Sequence, residues 1–197
     1  PHHQDYHDLN ERYNVHLERQ MMAAERERAR TIMERLGLPR AAKFVCVHVR
    51  EAGFNRARQS PGHNALRNAD VMTYRAAIEY LVRQGFWVVR MGEATVKPLP
   101  PMERVIDYAR SPCKSAFLDV VLIAECALFV GSSSGLAIVA SCFNKFLLMA
   151  NAVPLESVGW GTRTFLIPKL IYSAREQRYL TYPEIVSRGI GRLHRLE

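Results

Sequence analysis

The sequence predicts an α/β fold, a Rossmann-like parallel sheet with helices on both of its faces. Short β-branched runs alternate with longer segments of helical periodicity, and this spacing favours right-handed strand–helix–strand crossovers. The strand-like runs are largely apolar, which is typical of parallel strands that are buried on both faces. The chain has 197 residues, of which 48% are hydrophobic and 23% charged, a composition that is ordinary for a globular domain.

The chain begins with a predicted helix and a predicted strand. Residues 9–36 lack Pro and Gly and place apolar side chains near helical spacing among Glu and Arg, so they predict an amphipathic helix that stops at Gly37. The run FVCVHV at residues 44–49 predicts the first strand. We therefore expect residues 1–40 to form a helical arm or linker and residues 41–197 to form the domain.

A second helix and strand follow a polar loop. The helix is expected over residues 69–84, with Asn68 as its N-cap and Gly85 as its C-terminal stop, and FWVVR at residues 86–90 predicts the next strand. The same alternation continues along the chain: a strand over 104–107, a helix over 115–126, a strand over 127–130, a helix over 135–143, a strand over 146–149, an extended segment over 164–167 and a short helix over 182–188.

The net charge of +8 indicates an anionic ligand. Residues 1–40 contain seven Arg and seven Asp or Glu, so the whole excess lies in residues 41–197. The basic residues are scattered and form no run interleaved with aromatic side chains, so nucleic acid is not expected. A small phosphorylated ligand fits this pattern better, and a basic surface without a ligand is the alternative.

The cellular location of the protein is predicted from its apolar runs and its cysteines. The longest apolar stretch, residues 117–128, is interrupted by Asp119 and Glu125, so no transmembrane segment is predicted. The four cysteines form no C-x-x-C pair and predict buried, reduced thiols, as expected in the cytoplasm. A peripheral position at the membrane is a further expectation. The chain starts at Pro1 and shows no targeting signal, so upstream sequence is expected to be missing.

Polar or small residues follow the predicted strands. Ligands of open parallel sheets bind beyond the carboxyl ends of the strands, so these residues are the candidates for a site. In strand order they are His48 and Arg50, then Arg90, Gly92 and Glu93, then Asp107 and Tyr108, then Gly131, Ser132, Ser133, Ser134 and Gly135, and finally Asn151. Strand alternation directs the side chains of residues 48 and 50 to the same side, which suits binding of a diphosphate.

The segment FVGSSSGLAIVAS predicts a strand, a Gly/Ser turn and a helix. The backbone N–H groups and the positive end of the helix dipole make such a turn a phosphate site, to which serine hydroxyls add donors. The turn is neither G-x-G-x-x-G nor a P-loop. One alternative is a simple helix cap by Ser133 or Ser134. Another is a serine hydrolase with Ser133 in a G-x-S-x-G elbow, although the only downstream histidine is His194.

Five segments together carry a family resemblance: HVREAGFN, RNADVMTYRAAIEYL, WVVRMGE, VIDYA and FVGSSSGL. Over residues 43–151 the chain resembles an uncharacterised group of bacterial glycosyltransferases related to the fucosyltransferase-like branch of the GT-B superfamily. The resemblance implies that His48 and Arg50 contact the nucleotide diphosphate and are the catalytic pair, while residues 132–135 supply donors. Fucosyltransferases usually continue His-x-Arg with Gly-Asp, whereas Glu51 and Ala52 follow here, which leaves GDP-fucose in doubt.

The resemblance also implies a reaction and a missing partner. GT-B enzymes have two Rossmann-like domains, and only the C-terminal, donor-binding half is readable here, so an N-terminal domain is expected elsewhere. The implied activity is metal-independent transfer of a sugar from a nucleoside-diphosphate sugar to a hydroxyl of a glycan or glycoconjugate acceptor, with no cofactor. Glu51, Glu93 and the missing domain are all candidates for the general base. A non-catalytic nucleotide-sugar-binding domain is the alternative function.

Overall fold

The computed structural model describes residues 21–51, 65–93, 97–154 and 163–190. Its main sheet has six strands, all parallel, in the order β3-β2-β1-β4-β5-β6. The strands are β1 (Phe44–His48), β2 (Trp87–Met91), β3 (Val105–Ile106), β4 (Leu128–Gly131), β5 (Phe146–Ala152) and β6 (Thr164–Pro168). The predicted Rossmann-like parallel sheet is confirmed.

Five α-helices, three short 3₁₀ turns and a small hairpin complete the described structure. The helices are α1 (Ala23–Arg35), α2 (Arg75–Arg83), α3 (Ala116–Glu125), α4 (Gly135–Cys142) and α5 (Tyr182–Ser187). The hairpin pairs β7 (Tyr172–Ser173) with β8 (Arg178–Tyr179) in antiparallel fashion. Within the four ranges that the structure covers, no helix combines the length and the apolar composition needed to cross a bilayer.

Two hydrophobic clusters cover the two faces of the sheet. On one face, Val45 and Val47 of β1 pack with Ile78 of α2. On the other face, Cys46 packs with side chains of α3 and α4, and Ala29 of α1 is buried in the same cluster. The alternation along β1 therefore places successive residues in different cores, as the period of a strand requires. The predicted division of the chain at residue 40 stays a prediction, although α1 packs directly on α3.

The observed elements differ from the sequence prediction at a few ends. The second helix begins as a 3₁₀ turn, Val71–Tyr74, and its N-cap is Asp70, whose carboxylate accepts from the Met72 N–H at 2.9 Å; the predicted cap, Asn68, is wrong. The N-terminal part of the helix predicted over 9–36 lies outside the described residues. All four cysteines are unpaired, but Cys142 is exposed, contrary to the prediction that the thiols are buried.

The strand order creates a gap at the carboxyl edge of the sheet. From the centre of the sheet, β1, β2 and β3 follow one another towards one side, whereas β4, β5 and β6 follow one another towards the other side. The crossovers on either side of the β1–β4 pair therefore leave in opposite directions and open a crevice between the two strand ends. Residues that follow β1 and β4 lie at this crevice.

Candidate functional site

The ends of β1 and β4 lie side by side at the crevice. His48 and Gly131 are register partners, and the Ser132 N–H donates to the His48 carbonyl at 3.1 Å, which extends the pairing by one residue. Ser132 is fully buried, and its hydroxyl accepts from the Arg50 N–H at 2.9 Å. Ser132 therefore fixes the path by which the chain leaves β1.

Ser134 joins the two sides of the crevice. It is the N-cap of α4, and its hydroxyl accepts from the Ala137 N–H at 3.4 Å. The same hydroxyl lies 3.0 Å from Nδ1 of His48. The Ser134 hydroxyl can donate its own proton to Nδ1 while it accepts from the helix, and in that arrangement the neutral His48 ring carries its proton on Nε2.

The His48 imidazole is partly buried and lies near positive charges. Burial lowers the pKa of His48 to about 4, and the charges of Arg90, Arg50 and Lys114 contribute to the decrease. The ring is therefore neutral near pH 7 and works as a hydrogen-bonding group. Positive charge close to a neutral imidazole favours an anionic ligand, although Arg90 and Lys114 also pair with carboxylates.

Ser133 faces away from His48 and towards β5. Its hydroxyl accepts from the Val153 N–H at 3.3 Å and lies 3.7 Å from Sδ of Met149. A nucleophilic serine needs an adjacent base, and the imidazole in this region contacts Ser134 instead. This geometry gives no support to the nucleophile-elbow interpretation of Ser133, because its hydroxyl is engaged in holding the end of β5.

The two glycines of the turn have different surroundings. A Cβ on Gly131 would come within 2.7 Å of the Phe129 ring and 3.1 Å of the His48 carbonyl, so packing alone requires a glycine there. A Cβ on Gly135 would meet no atom within 4 Å. Gly135 begins α4, where the first backbone N–H groups have no intrahelical acceptor. Open space above a helix N-terminus is what the approach of an anion requires.

Arg90 forms a buried ion-pair network with two acidic residues. Its side chain is fully buried, and its two terminal nitrogens lie 2.7 Å from Oδ1 of Asp107 and 2.6 Å from Oε2 of Glu51. The second carboxylate oxygen of Asp107 accepts from the Leu99 N–H at 3.1 Å. These contacts join the ends of β1, β2 and β3. In this conformation Arg90 has no exposed surface with which to contact a ligand directly.

Tyr108 also has an internal role. Its side chain is fully buried, and its hydroxyl lies 3.1 Å from both the N and the O of Ser115, the N-cap of α3. Burial raises the pKa of Tyr108. Gly92 follows β2 with φ of +141°, a conformation that L side chains rarely adopt. Glu93 is exposed, with Oε1 3.9 Å from Nζ of Lys114.

Three basic residues at this edge were not predicted from the sequence. Lys114 pairs with Asp119 at 2.9 Å in the turn before α3, and Arg67 and Lys169 follow β1 and β6. Burial lowers the pKa of Arg50, and the positive charge of Arg67 adds to the decrease. In the sequence, these residues could have been identified by their position in connections that leave the carboxyl ends of strands.

Two solved structures are similar to this chain. One is E. coli ADP-heptose LPS heptosyltransferase II, with a TM-score of 0.56 and 16% identity over 80% of this chain and 46% of that chain. The other is the glycosyl transferase family 9 protein from Veillonella parvula, with a TM-score of 0.53 and 11% identity over 77% of this chain and 42% of that chain. This chain thus spans less than half the length of each.

The similarity to solved structures concerns the fold of this chain, and its chemistry depends on the residues of the site. No protein-family model matches the chain, and no curated protein matches its sequence. At 16% and 11% identity, the similarity to the two structures shows a shared fold. The α/β Rossmann-like sheet of this chain is thus an architecture found in glycosyltransferases.

Proposed function

We propose that this chain is the donor-binding part of a glycosyltransferase, and that it binds a nucleoside-diphosphate sugar in the crevice between β1 and β4. The observation that carries the proposal is the juxtaposition, at this crevice, of the His48–Ser134 pair, the guanidinium-bearing Arg50 and the open N-terminus of α4 at Gly135. All three features suit a diphosphate, which needs donors and positive charge in a fixed arrangement.

The proposed chemistry is stabilisation of a leaving group. Transfer of the sugar leaves a nucleoside diphosphate, whose new negative charge is stabilised by Arg50 and by the helix N-terminus. Neutral His48 donates a hydrogen bond from Nε2. These groups supply the positive potential without a metal ion, so we propose a metal-independent reaction.

The acceptor and the general base complete the proposal. Glu51 is bound to Arg90 and Glu93 is exposed, so of these two candidates Glu93 has the more accessible carboxylate. A partner domain is the other source of the base, because the chain spans less than half of each similar glycosyltransferase. We propose that the acceptor is a glycan or glycoconjugate hydroxyl and that the protein acts in the cytoplasm, where unpaired cysteines are stable. The alternative function is a nucleotide-sugar-binding domain without activity. It predicts that the donor is not turned over even when a partner domain is supplied.

Calorimetric titration with UDP, GDP, CDP, ADP and CMP tests the proposal directly. We expect one diphosphate to bind in preference to the others, and ligand binding to the folded state to raise the melting temperature. A chain that binds none of the five would contradict the proposed function.

The first prediction concerns Arg50. Arg50→Ala is expected to weaken nucleoside-diphosphate binding by roughly 1.5–3 kcal/mol, because it removes charge-assisted hydrogen bonds. Arg50→Lys should recover only part of this, since an ammonium lacks the planar fork. Calorimetry measures both affinities, with Arg83→Ala on the exposed end of α2 as the matched control. Unchanged affinity in both Arg50 variants would remove this residue from the site.

The second prediction separates the two turn glycines. Gly131→Ala is expected to lower the free energy of unfolding by about 1–3 kcal/mol, because the buried Phe129 ring and the His48 carbonyl leave no room for a methyl group. Gly135→Val should change it by less than about 0.5 kcal/mol but weaken diphosphate binding by about tenfold or more, since its side chain occupies the approach to the helix N-terminus. Urea unfolding and calorimetry measure the two quantities. A Gly135→Val protein that binds as wild type does would place the ligand elsewhere.

A further inference from the structure

The connection after β1 returns to the end of that strand. Residues 65–69, which we name the arginine turn, begin with a 3₁₀ turn, Ala65–Arg67. At the other end of the arginine turn, the Ala69 N–H donates to the Arg50 carbonyl at 2.8 Å. This hydrogen bond keeps the backbone near Arg67 close to Arg50, although Arg67 is 17 residues further along the chain than Arg50.

Lys169 contacts the arginine turn from the carboxyl end of β6, an outermost strand of the sheet. It directly follows β6, and its own N–H donates to the Ala152 carbonyl at 3.1 Å, which fixes its backbone. Its ammonium donates to the carbonyls of Leu66 at 2.8 Å and Asn68 at 2.6 Å. These two carbonyls flank Arg67 in sequence. Lys169 therefore fixes the peptide groups on both sides of this arginine.

The charges of this arrangement favour an anionic ligand. The described hydrogen bonds of the Lys169 ammonium go to neutral carbonyls, which do not cancel its charge as a carboxylate would, although burial lowers its pKa. Burial lowers the pKa of Arg50, and the charge of Arg67 contributes to the decrease, as expected for two cations in the same region. The hydrogen bonds of Ala69 and Lys169 fix the backbone that carries Arg67 next to the backbone of Arg50. Two guanidinium groups carried by neighbouring backbone segments can each take one phosphate of a diphosphate.

We propose that Lys169 is a positioning residue that holds Arg67 beside Arg50, and that the two arginines together select a diphosphate over a monophosphate. This inference rests on the proposed function, since it concerns the same crevice. It adds Arg67 as a second binding residue and makes the arginine turn responsible for the choice between nucleoside diphosphates and nucleoside monophosphates.

A double-mutant cycle tests this inference. The variants are Arg67→Gln, Lys169→Met and the two combined, and the probes are pyrophosphate with phosphate, and UDP, GDP, ADP and CDP with their monophosphates, all measured by calorimetry. Arg67→Gln is expected to weaken diphosphate binding about 10- to 100-fold and monophosphate binding less than about threefold. Lys169→Met should weaken diphosphate binding to a similar degree. The double variant should lose no more than about twofold beyond Arg67→Gln, because Lys169 acts through Arg67.

Two further variants serve as controls. Lys169→Arg keeps donors for both carbonyls and should retain most of the wild-type affinity. If Lys169→Met does not fold, the affinity of Lys169→Arg tests whether hydrogen bonds to these carbonyls support diphosphate binding. Arg83→Gln removes an exposed arginine at the end of α2 and should bind every probe as wild type does.

The outcomes separate the two proposals. A wild-type protein that binds none of the probes overturns the proposed function and this inference with it. If wild type binds a diphosphate and Arg67→Gln binds it equally well, the inference fails while the proposed function stands. Losses that add in the double variant would show that Lys169 acts independently of Arg67, and a diphosphate preference unchanged in Arg67→Gln would assign the selection to other groups.

Discussion

Replacing Arg90 with methionine is expected to lower the free energy of unfolding by about 3–5 kcal/mol. The guanidinium is fully buried between the carboxylates of Glu51 and Asp107, at 2.6 and 2.7 Å. Methionine fills much of the same volume, so the main loss is electrostatic: two carboxylates at the ends of β1 and β3 remain without their cation in a poorly solvated region. Urea unfolding at pH 7 measures the change.

Two comparisons identify the cause of this loss. Arg83→Met removes an exposed arginine from α2 and should change the free energy of unfolding by less than about 0.5 kcal/mol. The double variant Glu51→Gln with Arg90→Met removes one of the unpaired charges and should recover part of the stability. A loss in Arg90→Met no larger than that in Arg83→Met would mean that the network contributes nothing to stability.

The fold was predictable because local and global signals agree. The apolar runs at residues 44–49 and 86–90 form β1 and β2 within a residue of their expected ends, and Gly85 stops α2 with φ of +87°. The N-cap of the 3₁₀ turn that leads into α2 was harder to predict. Asn68 and Asp70 are both good capping residues, and the choice between them depends on where the 3₁₀ turn begins.

The site was predictable as a set of strand ends but not as a set of contacts. Parallel pairing with right-handed crossovers is enough to bring residues 48, 50 and 131–135 to one edge. The three consecutive serines carry the same functional group. The geometry of the turn decides that the Ser132 hydroxyl accepts from the Arg50 N–H, whereas the Ser134 hydroxyl contacts His48. No pattern in the sequence distinguishes them.

Arg90 carried a signal that the sequence prediction did not use. It lies between Val89 and Met91 in a strand whose interior is buried on both faces, and a charge in such a strand needs a partner. Glu51 and Asp107 follow the neighbouring strands and were available for that role. By contrast, the contact of Lys169 with Leu66 joins residues 103 apart and depends on the position of β6 at the sheet edge.

Acidification is expected to destabilise the protein through His48. The pKa of the buried imidazole is about 4 in the folded state, below its ordinary value of 6.5, so the unfolded chain binds the proton more tightly. The stabilisation by the neutral ring is complete above pH 6.5 and is lost progressively as the pH falls to about 4. The total loss is on the order of 3 kcal/mol, and about 2 kcal/mol of it falls between pH 7 and pH 5.

Urea unfolding at pH 7 and pH 5 compares wild type with His48→Asn, which keeps a polar atom near Ser134 but does not titrate. The choice of pH 5 matters because carboxylates with lowered pKa values, such as Glu176, lose their contribution mainly below pH 4.5. The pH-dependent loss should be smaller in the variant by about 2 kcal/mol, whatever the other histidines contribute, since they are common to both proteins. An equal loss in the two proteins would mean that His48 is not held neutral by burial and by the charges of Arg90, Arg50 and Lys114. A bound diphosphate should reduce the difference, because its negative charge offsets those three cations and allows the imidazole to protonate.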